Sequence, residues 1–149
     1  MVPSFISIEV QDIEELYEIE LECFGKDAFP LLEYQRLLYS SESIPIKAAV
    51  EGKIIGFVIG VYERSIEICT VVTLNIKPGF RKQGIGFELM KSLEDRLGTM
   101  KCKEIILQTR VNNTAGLNLF DKLGFRITRR LLNYYPNGID GFEMKKSIA

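Results

Sequence analysis

The spacing of apolar residues in the first third of the chain predicts one strand followed by two short helices. Apolar and polar residues alternate in FISIEV, residues 5–10, as in a half-buried strand. Asp12 precedes Glu15 by three residues, which is an N-cap arrangement, and apolar positions then recur at helical spacing as far as Cys23. A loop with glycine and proline follows, and the apolar pattern of residues 31–38 predicts the second helix.

The middle of the chain changes from a period of two to a helical period. Residues 47–63, KAAVEGKIIGFVIGVYE, predict a β-hairpin with its turn at residues 51–53. The next segment predicts one long strand with a single patterned face, formed by Ile66, Ile68, Thr70, Val72, Leu74 and Ile76. Helical spacing begins again at Ile85 and is expected to stop at Gly98.

The last third completes an alternating pattern of strands and helices. EIILQTR predicts a buried strand, residues 114–123 a short helix closed by Gly124, and the segment around YYPNGIDG two further strands. The element order is therefore βααβββαβαββ, and no linker interrupts it. We expect a single α/β domain over residues 1–149, with a central sheet and helices on both faces.

Composition and charge restrict the chemistry. The net charge of −1 gives no general attraction to nucleic acid or to an anionic membrane. Cys23, Cys69 and Cys102 are isolated, and the absence of histidine leaves no zinc site and no histidine-based triad. Neither a signal-peptide pattern nor a membrane-spanning apolar run is present. We expect a cytoplasmic protein with no metal, nucleic-acid or membrane partner, and the sequence predicts no oligomeric state.

A glycine-rich turn, IKPGFRKQGIG, joins the long strand to the next helix at residues 76–86. Such a turn leaves N–H groups at the positive end of the helix dipole, which favours an anion such as phosphate. A P-loop would need lysine and serine or threonine where residues 85–86 are Ile-Gly, and a dinucleotide fingerprint would need glycine at Leu89. An ordinary strand-to-helix turn explains the glycines but gives no role to Arg81 and Lys82.

The longer pattern, Ile76-x-Pro78-x-x-Arg81-x-x-Gly84-x-Gly86, resembles the hallmark turn of the GNAT superfamily of N-acetyltransferases. The resemblance implies a mixed, strongly bent sheet with splayed central strands, where acetyl-CoA and the acceptor enter from opposite sides. It also implies that the turn wraps the pyrophosphate of acetyl-CoA and that the preceding strand supplies a backbone donor to the oxyanion. The cofactor-binding residues so implied are Leu74, Asn75, Ile76, Arg81, Lys82, Gln83, Gly84, Ile85 and Gly86.

A second block, NNTAGLNLFDKLGF at residues 112–125, resembles the family's Asn-x-x-Ala-x-x-Leu-Tyr-x-Lys-x-Gly-Phe region. Gly116 stands in place of the alanine and Phe120 in place of the tyrosine. The resemblance implies that Asn113 contacts the pantetheine arm. The residues that it places along the cofactor are Leu119, Phe120 and Lys122. From the residues alone, Asn113 is also a suitable N-cap for the following helix.

A third block, NYYPNGIDGFEMKK, resembles the end of N-terminal protein acetyltransferases of the ribosomal-protein type. In those enzymes a tyrosine pair precedes a turn and an acidic residue, and Tyr134, Tyr135 and Asp140 match these positions. The resemblance implies that the two tyrosines bind the first residues of a substrate and that the loop of Phe29 and Pro30 lines the peptide entrance. Two adjacent tyrosines in a hairpin also suit simple packing at a sheet edge.

The sequence departs from this family at the two positions that carry the proton chemistry. Where the related enzymes have a glutamate base and a tyrosine acid, this chain has Gln108 and Phe120. Neither side chain exchanges a proton usefully near neutral pH. Deprotonation at pH 7 costs about 1 kcal/mol for an α-amine and about 4.6 kcal/mol for a lysine, which favours an α-amine as the acceptor.

We therefore expect direct transfer of the acetyl group of acetyl-CoA to the N-terminal α-amine of a protein or peptide within a ternary complex. Water positioned by Gln108, Thr70, Asn75 or a tyrosine hydroxyl would carry the protons. The candidate catalytic residues are Tyr135, Tyr134 and Gln108. Three alternatives stay open: transfer to a small amine such as a polyamine or amino acid, a non-catalytic acyl-CoA-binding module, and a purely structural domain.

Overall fold

The computed structural model describes residues 2–149, and its element order confirms the predicted βααβββαβαββ. The strands are β1 (Ser4–Ser7), β2 (Ser43–Val50), β3 (Lys53–Glu63), β4 (Ile68–Ile76), β5 (Glu104–Arg110), β6 (Arg126–Tyr135) and β7 (Ile139–Ser147). The helices are α1 (Ile13–Phe24), α2 (Leu31–Tyr39), α3 (Ile85–Thr99) and α4 (Thr114–Lys122). Short 3-10 turns lie at Val10–Asp12, Gly25–Asp27 and Pro136–Gly138.

The strands form one seven-stranded sheet in the order β1-β2-β3-β4-β5-β7-β6. Every neighbouring pair is antiparallel except β4 and β5, which run parallel. The β4–β5 pairing ends at Thr70 opposite Ile106. Beyond that pair, residues 71–76 of β4 and residues 107–110 of β5 border an open space, here termed the interstrand gap. The mixed sheet with separated central strands confirms the fold class that the resemblance implied.

Helices cover both faces of the sheet, as the alternating order predicts. α1 and α2 pack on one face around Leu16, Tyr34 and Phe57, and this side is termed the α1/α2 face. α3 and α4 pack on the other around Leu89 and Leu93, and this side is termed the α3/α4 face. Complete burial of a side chain such as leucine contributes roughly 1.5–3 kcal/mol, so the two clusters fix the position of the sheet between the helix pairs.

β4 contains a one-residue β-bulge that the sequence pattern did not predict. Ile59 of β3 pairs with Thr73, and the next residue, Gly60, pairs with Val71, so Val72 has no opposite residue in this register. An extra residue in one strand reverses the alternation of its side chains beyond the bulge. Odd-numbered residues before the bulge and even-numbered residues after it therefore face the same side of the sheet.

The bulge makes the predicted single face of this strand wrong. Val71 packs in the α3/α4 cluster before the bulge. Beyond it, Leu74 and Ile76 pack against that same cluster, whereas the side chain of Asn75 reaches α1 on the opposite face. Ile66 lies in the turn before the strand and does not belong to it. β4 thus keeps apolar contacts with α3 along its length and still offers a polar side chain to the α1/α2 face.

Asp12 and Glu15 do not form the hydrogen bonds that the predicted cap of α1 requires. Asp12 is the N-cap residue of α1, but its Oδ2 accepts a hydrogen bond from Glu9 N at 2.8 Å, which closes the preceding 3-10 turn. Glu15 Oε2 instead accepts a hydrogen bond from Ile54 N at 2.7 Å, across to β3. The acidic pair therefore anchors α1 to its surroundings and does not form a capping box with itself.

Several element ends differ slightly from the prediction. β1 ends at Ser7, and Val10, the predicted last residue of that strand, begins a 3-10 turn. The β2–β3 turn consists of Glu51 and Gly52, with φ of +50° and +80°, and Lys53 already begins β3. Left-handed angles at both residues are typical of the turns that match the twist of a hairpin. α3 continues to Thr99 and passes through Gly98, where no atom of the described residues crowds the glycine and the helix simply continues.

Candidate active site

The interstrand gap receives backbone N–H groups from β4. Lys77 N donates to Ile55 O of β3 at 2.8 Å. Hydrogen bonds along an antiparallel ladder alternate, so the N–H groups of Leu74 and Ile76 point away from β3 and toward the gap. Two such donors suit a carbonyl oxygen that gains negative charge during acyl transfer. The strand predicted to supply the oxyanion donor therefore has free donors on the correct edge.

The turn between β4 and α3 contains three residues in the left-handed region. Their φ values are +98° at Gly79, +62° at Lys82 and +81° at Gly84. A Cβ added at either glycine would meet no described heavy atom within 4 Å, so the glycines serve the backbone angle and the space in front of them is open. A lysine in this region costs about 1–3 kcal/mol, a strain that proteins keep at functional turns.

Gly84 is the N-cap of α3, and no side chain of the described residues caps that helix. The first-turn N–H groups of α3 are therefore free to bind a ligand, and the helix dipole favours a negative one. Backbone N–H groups in a turn of this kind form a concave surface that binds anions in known proteins. The turn fits a phosphate group, as the sequence predicts.

Arg81 lies across the end of β4. Its Nε donates to Ile76 O at 3.2 Å and its Nη2 donates to Cys23 Sγ at 3.3 Å. Burial raises the pKa of the Cys23 thiol, which therefore stays protonated and donates to Ile76 O at 3.5 Å. Gln83 Nε2 donates to Gly79 O at 3.4 Å within the turn. These contacts keep the arginine beside the turn, where a cation adds to the attraction for phosphate.

Asn113 forms the N-cap of α4. Its Oδ1 accepts from Gly116 N at 3.1 Å, and its Nδ2 donates to Thr109 Oγ1 at 3.0 Å. The N-cap interpretation is confirmed, while its contact with the pantetheine arm stays a prediction. A Cβ at residue 116 would lie only 2.3 Å from Asn113 Nδ2. Glycine at residue 116 therefore leaves room for the Asn113 amide in its observed position.

The other residues predicted along the cofactor have different environments. A Cβ added at Gly86 would lie 3.2 Å from Leu119 Cδ2, so the glycine allows α4 to approach the start of α3. Phe120 is buried in the α3/α4 cluster and packs edge-to-face on Phe125, with ring centroids 6.0 Å apart. Lys122 is exposed. Phe120 supports the core, and its position offers no hydroxyl to the gap.

The tyrosine pair lies at the end of β6. Tyr134 and Tyr135 pack edge-to-face with ring centroids 5.0 Å apart, and the guanidinium of Arg110 lies 4.8 Å from the Tyr135 ring centroid. Burial raises the pKa of the Tyr135 hydroxyl, which is therefore a donor at neutral pH. A Cβ added at Gly141 would meet Tyr135 Cε2 at 2.9 Å, so the ring lies directly over the β7 backbone.

Asp140 has a structural role in the β6–β7 hairpin. Its Oδ1 accepts from Asn133 N at 2.9 Å and its Oδ2 accepts from Arg130 Nε at 2.8 Å. The hydrogen bond from the Asn133 amide, followed by the arginine contact, holds the pKa of this carboxyl below its ordinary value. The acid that the resemblance matched therefore fixes the irregular end of β6.

Gln108 lies on the stretch of β5 that borders the gap. Leu107 belongs to the α3/α4 cluster, so Gln108 points to the α1/α2 face. Its cross-strand partner is Glu143 of β7, whose carboxylate accepts hydrogen bonds from Thr128 Oγ1 at 2.8 Å and Arg129 Nη2 at 3.1 Å. The threonine contact comes first among the causes that lower the pKa of Glu143. This carboxylate is already paired and is a weak base.

The loop of Phe29 and Pro30 lies between α1 and α2. Phe29 keeps part of its ring exposed and packs edge-to-face on Tyr34, with ring centroids 6.2 Å apart. Pro30 is the N-cap of α2. The Phe29 N–H donates to Glu20 Oε2 at 3.0 Å, so a helix side chain holds the loop in position.

A buried polar cluster joins α1, α2 and β4, and sequence analysis identified only one member of it, Asn75. Glu20 is 2% exposed. Its carboxylate accepts hydrogen bonds from three donors: Tyr34 OH, Asn75 Nδ2 at 2.8 Å and Phe29 N at 3.0 Å. Glu20 follows Leu16 by four residues on the apolar side of α1, where a charged residue needs partners. That misplaced charge is the signal that would have found the cluster.

Residues 2–149 contain neither a metal-binding cluster nor a helix that could span a membrane. In this range no group of three or more histidine, cysteine or acidic residues is arranged to bind a metal ion. No helix in the same range combines the length and the apolar character needed to cross a membrane.

Comparison with known proteins identifies related sequences and folds. The model of the family described as "Acetyltransferase (GNAT) family" matches residues 11–125. N-alpha-acetyltransferase 30 of Dictyostelium discoideum is 28% identical over 138 residues, which cover 91% of this chain and 72% of that protein. N-alpha-acetyltransferase 30 of Xenopus laevis is 23% identical over 141 residues, which cover 93% of this chain and 50% of that protein. The chain thus spans half to three quarters of the length of these relatives.

A solved structure agrees with the observed architecture. The crystal structure of the ribosomal-protein-S18-alanine N-acetyltransferase from Escherichia coli superposes with a TM-score of 0.92 at 22% sequence identity. The superposition covers 99% of this chain and 95% of that one. The agreement over nearly the whole chain confirms the fold class.

Proposed function

The chain belongs to the acetyltransferase (GNAT) family and is an acetyl-CoA-dependent N-acetyltransferase, and we propose that its acceptor is the N-terminal α-amine of a protein or peptide. The observation that carries this proposal is the interstrand gap, which has backbone donors on β4, a phosphate-suited turn at its end and a tyrosine pair on the α1/α2 face. Both related sequences described above are N-alpha-acetyltransferases, which supports an α-amine acceptor.

The residues around the gap fit acetyl-CoA. Left-handed Lys82 and Gly84 and the uncapped start of α3 suit its pyrophosphate, and the open space before Gly84 leaves room for it. The N–H groups of Leu74 and Ile76 hold the acetyl oxygen and stabilise the charge that develops there. Acetyl-CoA supplies the thioester carbonyl that the amine attacks, and CoA is released.

Proton transfer at this site uses water. The amine must lose a proton, and Gln108 on the gap edge and the Tyr135 hydroxyl position the water that receives it. Glu143 is a poor candidate base, because its hydrogen bonds lower its pKa and its carboxylate is turned toward β6. An α-amine needs little help, since its pKa of about 7.7–8.0 leaves roughly a tenth or more of it neutral at pH 7.

The acceptor is tested with a panel of amines and acetyl-CoA, followed by mass spectrometry. One peptide has a free N-terminus and no lysine, a second has a blocked N-terminus and one internal lysine, and the remaining acceptors are a polyamine and a free amino acid. We expect product only from the first peptide. Product from the polyamine or amino acid alone would replace this proposal with the small-amine alternative.

The tyrosine pair is tested by the double variant Tyr134→Phe/Tyr135→Phe. Loss of both hydroxyls is expected to lower kcat by about tenfold or more with unchanged acetyl-CoA affinity, since positioned proton carriers contribute at least that much. Tyr39→Phe is a matched control on the exposed side of α2, where the side chain is 72% exposed. Full turnover in the double variant would remove the tyrosines from the proton path.

A non-catalytic acyl-CoA-binding module is the second candidate. The observation that favours it is the pair of side chains at the family's proton-transfer positions, a half-buried Gln108 and a Phe120 that belongs to the core. This candidate requires acetyl-CoA binding without product from any acceptor in the panel. Calorimetry on the same preparation measures that binding. Release of free CoA without an acceptor then separates this candidate from an enzyme whose acceptor lies outside the panel, because only an enzyme hydrolyses the bound thioester.

A further inference from the structure

The buried cluster of Glu20, Tyr34 and Asn75 lies next to the gap, and neither Glu20 nor Tyr34 has an assigned role in acetyl transfer. Exposure is 2% for Glu20, 0% for Tyr34 and 2% for Asn75. The three side chains come from α1, α2 and β4. Buried polar groups destabilise a fold unless their hydrogen bonds are satisfied, so each atom of this cluster needs a partner.

The hydrogen bonds of the cluster fix the orientation of the Asn75 amide. Asn75 Nδ2 donates a hydrogen bond to Glu20 Oε1 at 2.8 Å, so the amide turns its NH2 group toward this carboxyl group. Tyr34 donates to the same oxygen, and burial, followed by the hydrogen bond with Glu20, raises the pKa of Tyr34 so that it keeps its proton. With the NH2 group fixed, Asn75 Oδ1 points away from Glu20.

One acceptor of this cluster, Asn75 Oδ1, lacks a hydrogen-bond partner among the described residues. It is buried, and within residues 2–149 no group donates a hydrogen bond to it. A buried acceptor without a partner costs about 1–3 kcal/mol. A hydrogen bond from a water molecule, or from a ligand that reaches this oxygen, would remove that cost.

The position of Asn75 in the sheet indicates which ligand would supply this donor. It lies five residues beyond Thr70, where the β4–β5 pairing ends, so its strand segment borders the gap. Its neighbours Leu74 and Ile76 direct N–H groups to the gap, while its side chain is on the α1/α2 face with Gln108. Asn75 therefore lies between the backbone donors of β4 and the face of the sheet that carries Gln108.

We propose that Asn75 Oδ1 accepts a hydrogen bond from the α-amine of the acceptor, and that Glu20 is a positioning residue that turns the amide oxygen toward it. The inference rests on the proposed acetyl transfer to an α-amine. A neutral amine has N–H groups for this bond and keeps its lone pair for the attack on the thioester carbonyl. The Asn75 amide orients the amine and does not remove its proton, because an amide oxygen is too weak a base.

The test compares a peptide with its des-amino analogue, in which hydrogen replaces the N-terminal amine. The wild-type protein with bound CoA should bind the peptide about 10- to 100-fold more tightly than the analogue, which leaves the amide oxygen unpaired. In Asn75→Ala this ratio should fall to near one. A ratio that is unchanged in the variant would overturn the inference, because Asn75 would then contribute nothing to binding of the amine.

Kinetics and control variants separate this role from a structural one. Asn75→Ala is expected to lower kcat/KM for the peptide about 10- to 100-fold while the acetyl-CoA dissociation constant stays within about twofold. Thr73→Val is the matched control, since Thr73 is also buried on this side of β4 and contacts Tyr34, and its kcat/KM should stay within about threefold of wild type. If Asn75→Ala does not fold, Asn75→Ser keeps a donor for Glu20 and carries the same test.

Glu20→Gln tests the positioning role. Glutamine also offers an NH2 group to the cluster, so the Asn75 amide loses its fixed orientation while the volume of residue 20 is kept. The peptide-to-analogue ratio should fall to an intermediate value at unchanged acetyl-CoA affinity. An unchanged ratio would show that Glu20 does not position the Asn75 amide. A wild-type protein without turnover on any peptide would instead reject the proposed function, whatever the variants do.

Discussion

The two sides of the interstrand gap differ in whether backbone groups or side chains form them. The side proposed for the cofactor consists of backbone groups: the N–H groups of β4, the left-handed turn and the uncapped start of α3. The side proposed for the acceptor consists of side chains that contact one another, from the Glu20 cluster to the Arg110–Tyr135 contact. Backbone geometry restricts which residues are allowed locally, whereas a network of side chains restricts pairs of residues far apart in sequence. The two sides should therefore fail in different ways when they are mutated.

The largest effect is expected from a charge in the backbone-built turn. Gly84→Asp places a β-carbon at φ +81° and a carboxylate in front of the phosphate site, and acetyl-CoA affinity should fall at least about 100-fold. Gly52→Asp is a matched control, because Gly52 has φ +80° and equal open space but lies in the β2–β3 turn. Calorimetry should show the loss in the first variant alone. Equal losses in both would mean that strain and not the site governs binding.

A side-chain change on the acceptor side should act through neighbours. Tyr34→Phe removes a donor from buried Glu20 and should lower the free energy of unfolding by about 1–3 kcal/mol and raise the peptide KM about fivefold. Tyr62→Phe is the control: this tyrosine is also buried, and its hydroxyl donates to Met100 O at 3.0 Å. Denaturant melts should show a loss of stability in both variants. A peptide KM that moves equally in both would contradict a local role for Tyr34.

The pH dependence should belong to the acceptor and not to the enzyme. Hydrogen bonds lower the pKa of Glu143 and burial raises the pKa of Tyr135, so the first stays ionised and the second stays neutral between pH 6 and 9. kcat/KM for the peptide should therefore rise about tenfold per pH unit and level off near the α-amine pKa of roughly 7.7–8.0. A peptide whose amine has a lower pKa should level off at a correspondingly lower pH. A plateau that does not move with the peptide would reveal a titrating group of the enzyme.

The smallest effect is expected where a side chain serves the backbone-built side. Gly116→Ala forces Asn113 out of its cap, which costs about 1 kcal/mol, but alanine favours the helix by a similar amount. Stability should change by less than about 1 kcal/mol and acetyl-CoA affinity by less than about threefold. Gly98→Ala in α3 is the control for the helix preference alone, because its added Cβ meets no described atom within 4 Å. A large loss of affinity only in Gly116→Ala would show that Asn113 contacts the cofactor.

The shape of the β4–α3 turn could be predicted from the sequence because its requirements are local. Left-handed angles at Gly79 and Gly84 favour glycine, and both glycines are visible within the short segment IKPGFRKQGIG. The element order could be predicted for the same reason, since each strand and helix shows its own period. Even the N-cap of α4 follows from Asn113 and its immediate neighbours.

The acceptor side could not be predicted in the same way. Glu20 and Asn75 are 55 residues apart, and their contact depends on the bulge in β4, which no local pattern marks. The predicted face of that strand was wrong because a period of two was continued through an extra residue. Gln108 was identified only through the family resemblance, and the structure adds its pairing with Glu143.

The unopposed Val72 also determines how this strand tolerates change. Replacement of Val72 by another β-branched residue alters one side chain, whereas its deletion would exchange the environments of every residue from Thr73 to Ile76. In a library that contains both kinds of mutation, position 72 should accept many substitutions and almost no deletion. The information held at this position is the length of the strand, and the chemical identity of the residue matters much less.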